Sequence, residues 1–230
     1  LFDQDLNSLE ALFLSWKQPA YRAKQLWRAL YVDLVNSFEE ISTFPKELRN
    51  HLSSSLEFSH LKEIDHLTSK DGETVKILFE LPDGRMIETV LMHYDVRDTL
   101  CISTQSGCAM GCVFCATGQM GFKRNLTPGE IVEQVIHFAR VLKSSGKHVT
   151  NVVVMGMGEP FHNYDAVMTA IERLNDAEGM HLGARRFTIS TVGLIPAIQR
   201  FAAEKRQINL AVSLHAANDA LRSSMMPINR

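Results

Sequence analysis

Three cysteines, Cys108, Cys112 and Cys115, stand in the run Cys-Ala-Met-Gly-Cys-Val-Phe-Cys. This C-x3-C-x2-C spacing puts three thiolates on one tight loop, enough for three corners of a four-iron cube in which each ligated iron takes a cysteine sulfur. The fourth corner is left for a ligand that is not protein. Gly107 and Gly111 give the loop the backbone freedom to fold its sulfurs inward, and Phe114 sets an apolar ring beside the last sulfur, where shielding tunes cluster potential. A structural zinc knot is the competing reading, but such sites are closed by four ligands, commonly in two closely spaced pairs. Only one C-x2-C pair is present, so zinc would have to recruit Cys101 or a distant histidine. A disulfide framework is a weaker alternative, because the amino-terminal residues do not read as a signal peptide and reducing compartments keep thiols free.

Further candidates lie downstream. The run Met155-Gly156-Met157-Gly158-Glu159-Pro160 offers a carboxylate suited to an ammonium group, in a loop whose glycines let a ligand approach the backbone. It is not a dinucleotide fingerprint, since Pro160 and Phe161 stand where the third glycine and the helix interior are needed. Ser190 and Ser213 have hydroxyls for ribose or carboxylate oxygens, or for capping a following helix. His215, after Ser213 and Leu214, is open between packing and catalysis. Cys101 reads either as a small buried hydrophobe or as a reactive thiol, and Glu88 as a strand-surface carboxylate.

The elements that must position these residues change character along the chain. Residues 1–60 are helical, with Leu6, Leu9, Leu12 and Phe13 on one stripe and Leu26, Trp27, Leu30 and Tyr31 on another, which predicts a small accessory bundle. Residues 61–97 alternate, with turns at Asp71-Gly72 and Pro82-Asp83-Gly84, and predict a three-stranded meander linking the bundle to the remainder of the chain. From residue 98 to 230 strands alternate with helices: Thr99 to Thr104, Val152 to Met155, Phe187 to Ser190 and Ile208 to Ser213. Thr127-Pro128-Gly129-Glu130 is a capping box that opens the first of the intervening helices. Four βα units of this kind build a parallel barrel or a doubly wound sheet. Each candidate motif falls just past the carboxyl end of a strand, where such sheets bind ligands.

With 45% hydrophobic residues in 230, the chain can bury one sizeable core and a small accessory unit. No apolar run reaches the length of a membrane span, and the cytoplasm is the expected compartment. A net charge of −2 gives no bulk attraction to nucleic acid but permits local basic patches. Lys123-Arg124, Arg185-Arg186, and Arg22, Lys24 and Arg28 are candidates for phosphate contacts, or ordinary solvated faces. The chain opens on Leu1 and stops at Arg230 just after a helical-looking stretch, and is expected to be a fragment.

The cysteine run, with Gly-Glu-Pro after the next strand, resembles the radical S-adenosylmethionine superfamily. Tyr21 to Trp27, Ile87 to Val90, Gly121 to Leu126, Asn151 to Pro160 and Ser213 to Ala216 are similar to the RlmN family of dual-specificity RNA adenine carbon-2 methyltransferases. The resemblance implies an α/β fold, a partial radical-SAM β/α barrel preceded by a helical accessory domain and a β-meander. It implies a 4Fe-4S cluster on Cys108, Cys112 and Cys115 whose open iron takes the amino and carboxylate groups of S-adenosyl-L-methionine. Gly158 and Glu159 would hold the methionine amino group, with Ser190 and Ser213, Leu214 and His215 along the rest of the cofactor.

In the family a radical derived from the cofactor acts on a methyl group carried by a carboxyl-terminal cysteine, and the resulting carbon radical adds to adenine. Cys101 matches a cysteine that resolves the protein–RNA adduct and forms a disulfide with the methyl-carrying one, and Glu88 matches a proton acceptor. The implied partners are ribosomal RNA of the large subunit, transfer RNA and an electron donor such as flavodoxin or ferredoxin. The methyl-carrying cysteine is not in this chain, so the fragment is expected to bind a cluster but not to methylate RNA. Two other readings are a related methyltransferase acting on adenine carbon 8 and a non-catalytic zinc-bearing RNA-binding module.

Overall fold

The computed structural model describes residues 1–229. Three helices come first: α1 (Leu6–Ser15), α2 (Tyr21–Tyr31) and α3 (Lys46–Ser55). The Asp5 carboxylate accepts from the Ser8 backbone N–H at 2.7 Å and starts α1, as a helix N-cap should. Leu9 and Phe13 of α1 and Leu26, Trp27, Leu30 and Tyr31 of α2 are buried, so the predicted stripes face the core.

The meander is β1 (Lys62–Thr68), β2 (Thr74–Glu80) and β3 (Met86–Tyr94), turned at Gly72 and Gly84, which have φ of 76° and 77°. Glycine reaches that left-handed region without the Cβ penalty. Then come β4 (Arg97–Cys101), β5 (Gln105–Ser106), α4 (Ala116–Gln119), β6 (Arg124–Asn125), α5 (Pro128–Ser144), β7 (Asn151–Val154), α6 (Tyr164–Asn175), β8 (Phe187–Thr191), α7 (Ile195–Ala203), β9 (Asn209–Val212) and α8 (Asp219–Met225).

The larger sheet runs β1-β2-β3-β4-β7-β8-β9. Its first four strands are antiparallel neighbours, whereas β4, β7, β8 and β9 are parallel. The meander therefore does more than link: β3 pairs with β4, with Val90 opposite Cys101, and extends the parallel sheet.

The two faces of this sheet differ. Ile77, Phe79, Ile87, Leu91, Leu100, Val152, Val154, Phe187 and Ile189 are buried in one core with Val135 and Phe138 of α5 and Ile171 and Leu174 of α6. Each such side chain contributes roughly 1.5–3 kcal/mol by leaving water. The alternate residues, Lys76, Glu88, Val90, Cys101, Val153, Thr188 and Ser190, are only half-buried. Register places them together on the opposite, open face.

Helix α5 has the predicted capping box: the Thr127 hydroxyl accepts from the Glu130 N–H, and the Glu130 carboxylate accepts from the Thr127 N–H. Strand β4, in contrast, stops at Cys101 rather than at Thr104. Gln134, buried on α5, accepts from the Ser103 N–H at 2.8 Å and donates to the Ser103 carbonyl at 2.9 Å. Its remaining contacts are the Thr89 hydroxyl and the Glu130 carbonyl. A helix side chain thus replaces the ladder at Ser103, avoiding the roughly 1–3 kcal/mol that an unpaired buried polar group costs.

Candidate functional site

Cys108 and Cys112 are buried together with Met110 and Met226, and Cys115, Val192, Leu194 and Met225 pack around them. The loop that carries them turns at Gly107 and Gly111, with φ of 72° and 65°. At Gly107 a Cβ would come within 1.9 Å of the Gly121 carbonyl oxygen, so only glycine fits there. Burial pushes the Cys108 and Cys112 thiols up, and the neighbouring cysteines and Glu159 add to the rise. Among the described residues no three His, Cys, Asp or Glu side chains close tightly enough on one point to hold a single metal ion. The three thiols share one apolar cluster, and an iron-sulfur cube would take one of these sulfurs at each of three irons.

Opposite this loop stands Glu159, 2% exposed. One carboxylate oxygen accepts from the Phe161 N–H at 3.0 Å and the other from the Val192 N–H at 2.9 Å, while its own N–H donates to Gln105. Two amides fix its direction and leave lone pairs free. No cation pairs with it among the described residues, and burying a charged carboxylate is costly unless it is paired. Gly158 before it has φ 104°, and a Cβ there would meet Gln105 at 2.6 Å.

Ser190 and Ser213 do not cap the helices that follow. Leu194 and Asn218 occupy those positions, and the two hydroxyls meet each other at 3.2 Å across β8 and the end of β9. Leu214 is largely exposed. His215 has φ 59° and packs its ring 4.6 Å from Phe114. Phe114 itself is half exposed and is not among the side chains packed about Cys108 and Cys112.

Cys101 and Glu88 lie elsewhere, on the open sheet face. The Cys101 thiol is pushed up by burial, against a backbone hydrogen bond at Met155. The Glu88 carboxylate accepts from Lys76 Nζ at 2.7 Å. All four cysteines of this chain are free, and the partner expected for Cys101 is not among them.

The phosphate candidates divide. Arg124 is committed to Asp83 at 2.5 Å and to Glu130 at 2.7 Å, and Arg22 to Gln25 and the Thr43 carbonyl. Arg185 and Arg186 make no ion pair among the described residues. Sequence reasoning missed Arg222 of α8, whose guanidinium donates to the carbonyls of Leu214, Val192 and Ser213. It ties two strand-end loops together, and Met226 after it seals the cysteine pocket. An arginine on a short polar helix gives no sequence signal of such a role.

Residues 102–230 match the model of the radical SAM superfamily, and residues 1–58 match the "Ribosomal RNA large subunit methyltransferase N-terminal domain". All of the chain aligns at 51% identity with a "Probable dual-specificity RNA methyltransferase RlmN" of Chloroflexus aurantiacus, covering 62% of it. It aligns at 50% identity with the "Dual-specificity RNA methyltransferase RlmN 1" of Myxococcus xanthus, covering 64%. A solved radical SAM methyltransferase from Sphaerobacter thermophilus superposes with a TM-score of 0.97 at 49% identity, over all of this chain and 67% of that one.

The chain belongs to the RlmN family of the radical SAM superfamily. It spans less than two thirds of the length of the first two relatives. Radical SAM enzymes use a 4Fe-4S cluster and S-adenosylmethionine, and the residues present fit both. Three gathered thiols can hold the cluster, and a buried carboxylate without a counter-cation suits the cofactor's ammonium group. For the RlmN family this places the cysteine loop, Glu159 and the Ser190–Ser213 pair at one end of the parallel strands.

Proposed function

We propose that this chain carries the cofactor-binding part of an RNA methyltransferase that modifies carbon 2 of adenine in large-subunit ribosomal RNA and in transfer RNA. The observation that carries the reading is the set of three cysteine thiols beside the unpaired buried carboxylate of Glu159. It is supported by similarity to RlmN methyltransferases along the whole chain.

Carbon 2 of adenine lies between two ring nitrogens and is too electron-poor to attack a sulfonium methyl. When bound, the cluster and S-adenosylmethionine supply the one-electron chemistry that such a carbon needs. Cys108, Cys112 and Cys115 would hold the cluster. Glu159 would receive the cofactor's ammonium group, its aim fixed by the two backbone amides. Ser190 and Ser213, with Leu214 and His215, would line the remainder.

On the open face, Glu88 would accept a proton from the adenine, with Lys76 holding the carboxylate in place. Cys101, kept as a thiol by burial, would act on the protein–RNA adduct. A low-potential electron carrier such as flavodoxin or ferredoxin would reduce the cluster. Among the described residues no helix is long and apolar enough to cross a membrane, and RNA substrates with free thiols suit the cytoplasm.

The test is to express the complete gene in cells lacking any such activity and to digest their RNA for mass spectrometry. Carbon-2 methyladenosine that disappears in Cys112→Ala supports the reading. Carbon-8 methyladenosine, or neither product with a zinc-loaded protein, overturns it.

A further inference from the structure

A cleft of about 520 Å³ opens at the end of the sheet opposite the cysteine loop. Its walls come from the end of α2, the end of α5 and the segments entering β7 and β8. Lys143, Lys147, His148, His181 and Arg186 line it, and no aspartate or glutamate does. On a chain of net charge −2 this is a local reversal of sign.

The ordinary explanation is that basic groups collect at the carboxyl ends of helices, where the macrodipole leaves about half a negative charge per helix. Two helices end here, and Lys143 answers that field: its Nζ donates to the Asp33 carbonyl at 2.6 Å. Lys147, His148, His181 and Arg186 remain. None has a side-chain hydrogen bond or ion pair among the described residues, and all four are exposed. Two fixed positive charges and two imidazole donors exceed what the helix ends require. His181 is moreover held at φ 53°, in the sparsely populated left-handed region.

The geometry points to a phosphate-binding site in this cleft, one that receives backbone phosphates of the RNA substrate away from the chemistry. The inference rests on the proposed RNA methyltransferase function for the source of the phosphate, and not for the site. Strand β8 has five residues, so the cleft lies roughly 17 Å from the strand ends that carry Ser190. A folded RNA engaging that end can lay a second run of phosphates here.

Titration of the 230-residue chain with a fluorescent RNA hairpin, followed by anisotropy at several salt concentrations, tests this beside a Lys147→Glu, Arg186→Glu double variant. Both residues are exposed and unpaired, and an unchanged melting temperature and iron content confirm an intact fold. The double variant should bind RNA at least tenfold more weakly at low salt. Its log–log salt slope should be shallower by about 1.5, since each lost phosphate contact removes about 0.7 to 0.9. In a parallel arm, the wild-type chain should broaden the phosphorus NMR line of inorganic pyrophosphate and the variant should not.

Loss in both arms supports the proposal. Loss in the pyrophosphate arm alone keeps the phosphate site, makes its occupant a small phosphate and counts against the RNA reading. Equal behaviour of wild type and variant in both arms overturns the site.

Discussion

The His215 ring lies 4.6 Å from the Phe114 ring at a tilt of 48°. It joins the loop after β9 to the loop that carries Cys112 and Cys115, two segments a hundred residues apart. Aromatic pairs of this kind contribute about 0.5–1.5 kcal/mol beyond burial. His215→Ala keeps every thiol but loosens the loop that holds them. The reconstituted cluster should bleach in air about two- to twelvefold faster, read by its visible absorbance. Unchanged bleaching would show that the pair has no hold on the loop.

The four cysteines should separate cleanly by iron content. Anaerobic reconstitution of the wild type should give about four irons per chain. Cys108→Ala, Cys112→Ala and Cys115→Ala should each lose most of that iron, because a cube held at two corners is exposed to solvent. Cys101→Ala should keep it, since Cys101 sits on the sheet face against Val90 and Val153. Equal loss in all four variants would place Cys101 among the ligands.

What could be read from the sequence was local. Thr127 and Glu130 are three residues apart and need only each other, so the capping box was visible in advance. The same holds for the cysteine loop and for the glycine turns of the meander. The end of β4 could not be read, because Gln134, thirty-one residues away, takes over the hydrogen bonds of Ser103. Ser190 and Ser213 each looked able to cap a helix, and only strand pairing between β8 and β9 turned them toward each other. Arg124 looked free for phosphate because its partners, Asp83 and Glu130, come from a turn and a helix that only the fold brings together.

The Asp83 tether gives a pH dependence of definite sign. Burial works to raise its carboxyl, but hydrogen bonds from Arg124 and Arg85, with the Arg124 charge, outweigh this and hold it down at about 2. A carboxylate lowered on folding stabilises the native state above its unfolded value near 3.9, and this stabilisation is lost as pH falls toward 2. Urea midpoints of the metal-free chain should therefore drop between pH 4 and pH 2 more steeply in the wild type than in Asp83→Asn. Parallel curves would mean that Arg124 is satisfied by Glu130 alone.

Gly158→Ala separates two kinds of strain. Gly146 and Gly158 both have positive φ, 70° and 104°, but a Cβ at Gly146 meets nothing within 4 Å, whereas at Gly158 it meets the Gln105 side chain at 2.6 Å and the Gln105 backbone nitrogen at 2.9 Å. Gly146→Ala thus reports backbone strain alone, about 1 kcal/mol, or a melting shift of about 2–4 °C for a chain of this size. Gly158→Ala adds a collision with a residue that has no room to retreat, because Gln105 is held by Asn125, His162 and the Glu159 N–H. Its melting temperature should fall by at least twice as much. Since Glu159 follows directly, the affinity for S-adenosylmethionine by calorimetry should fall as well, while iron content stays near the wild-type value. Equal melting shifts in the two variants, with cofactor affinity unchanged, would mean that the Gly158 loop yields freely and that its close approach to Gln105 does not aim the carboxylate.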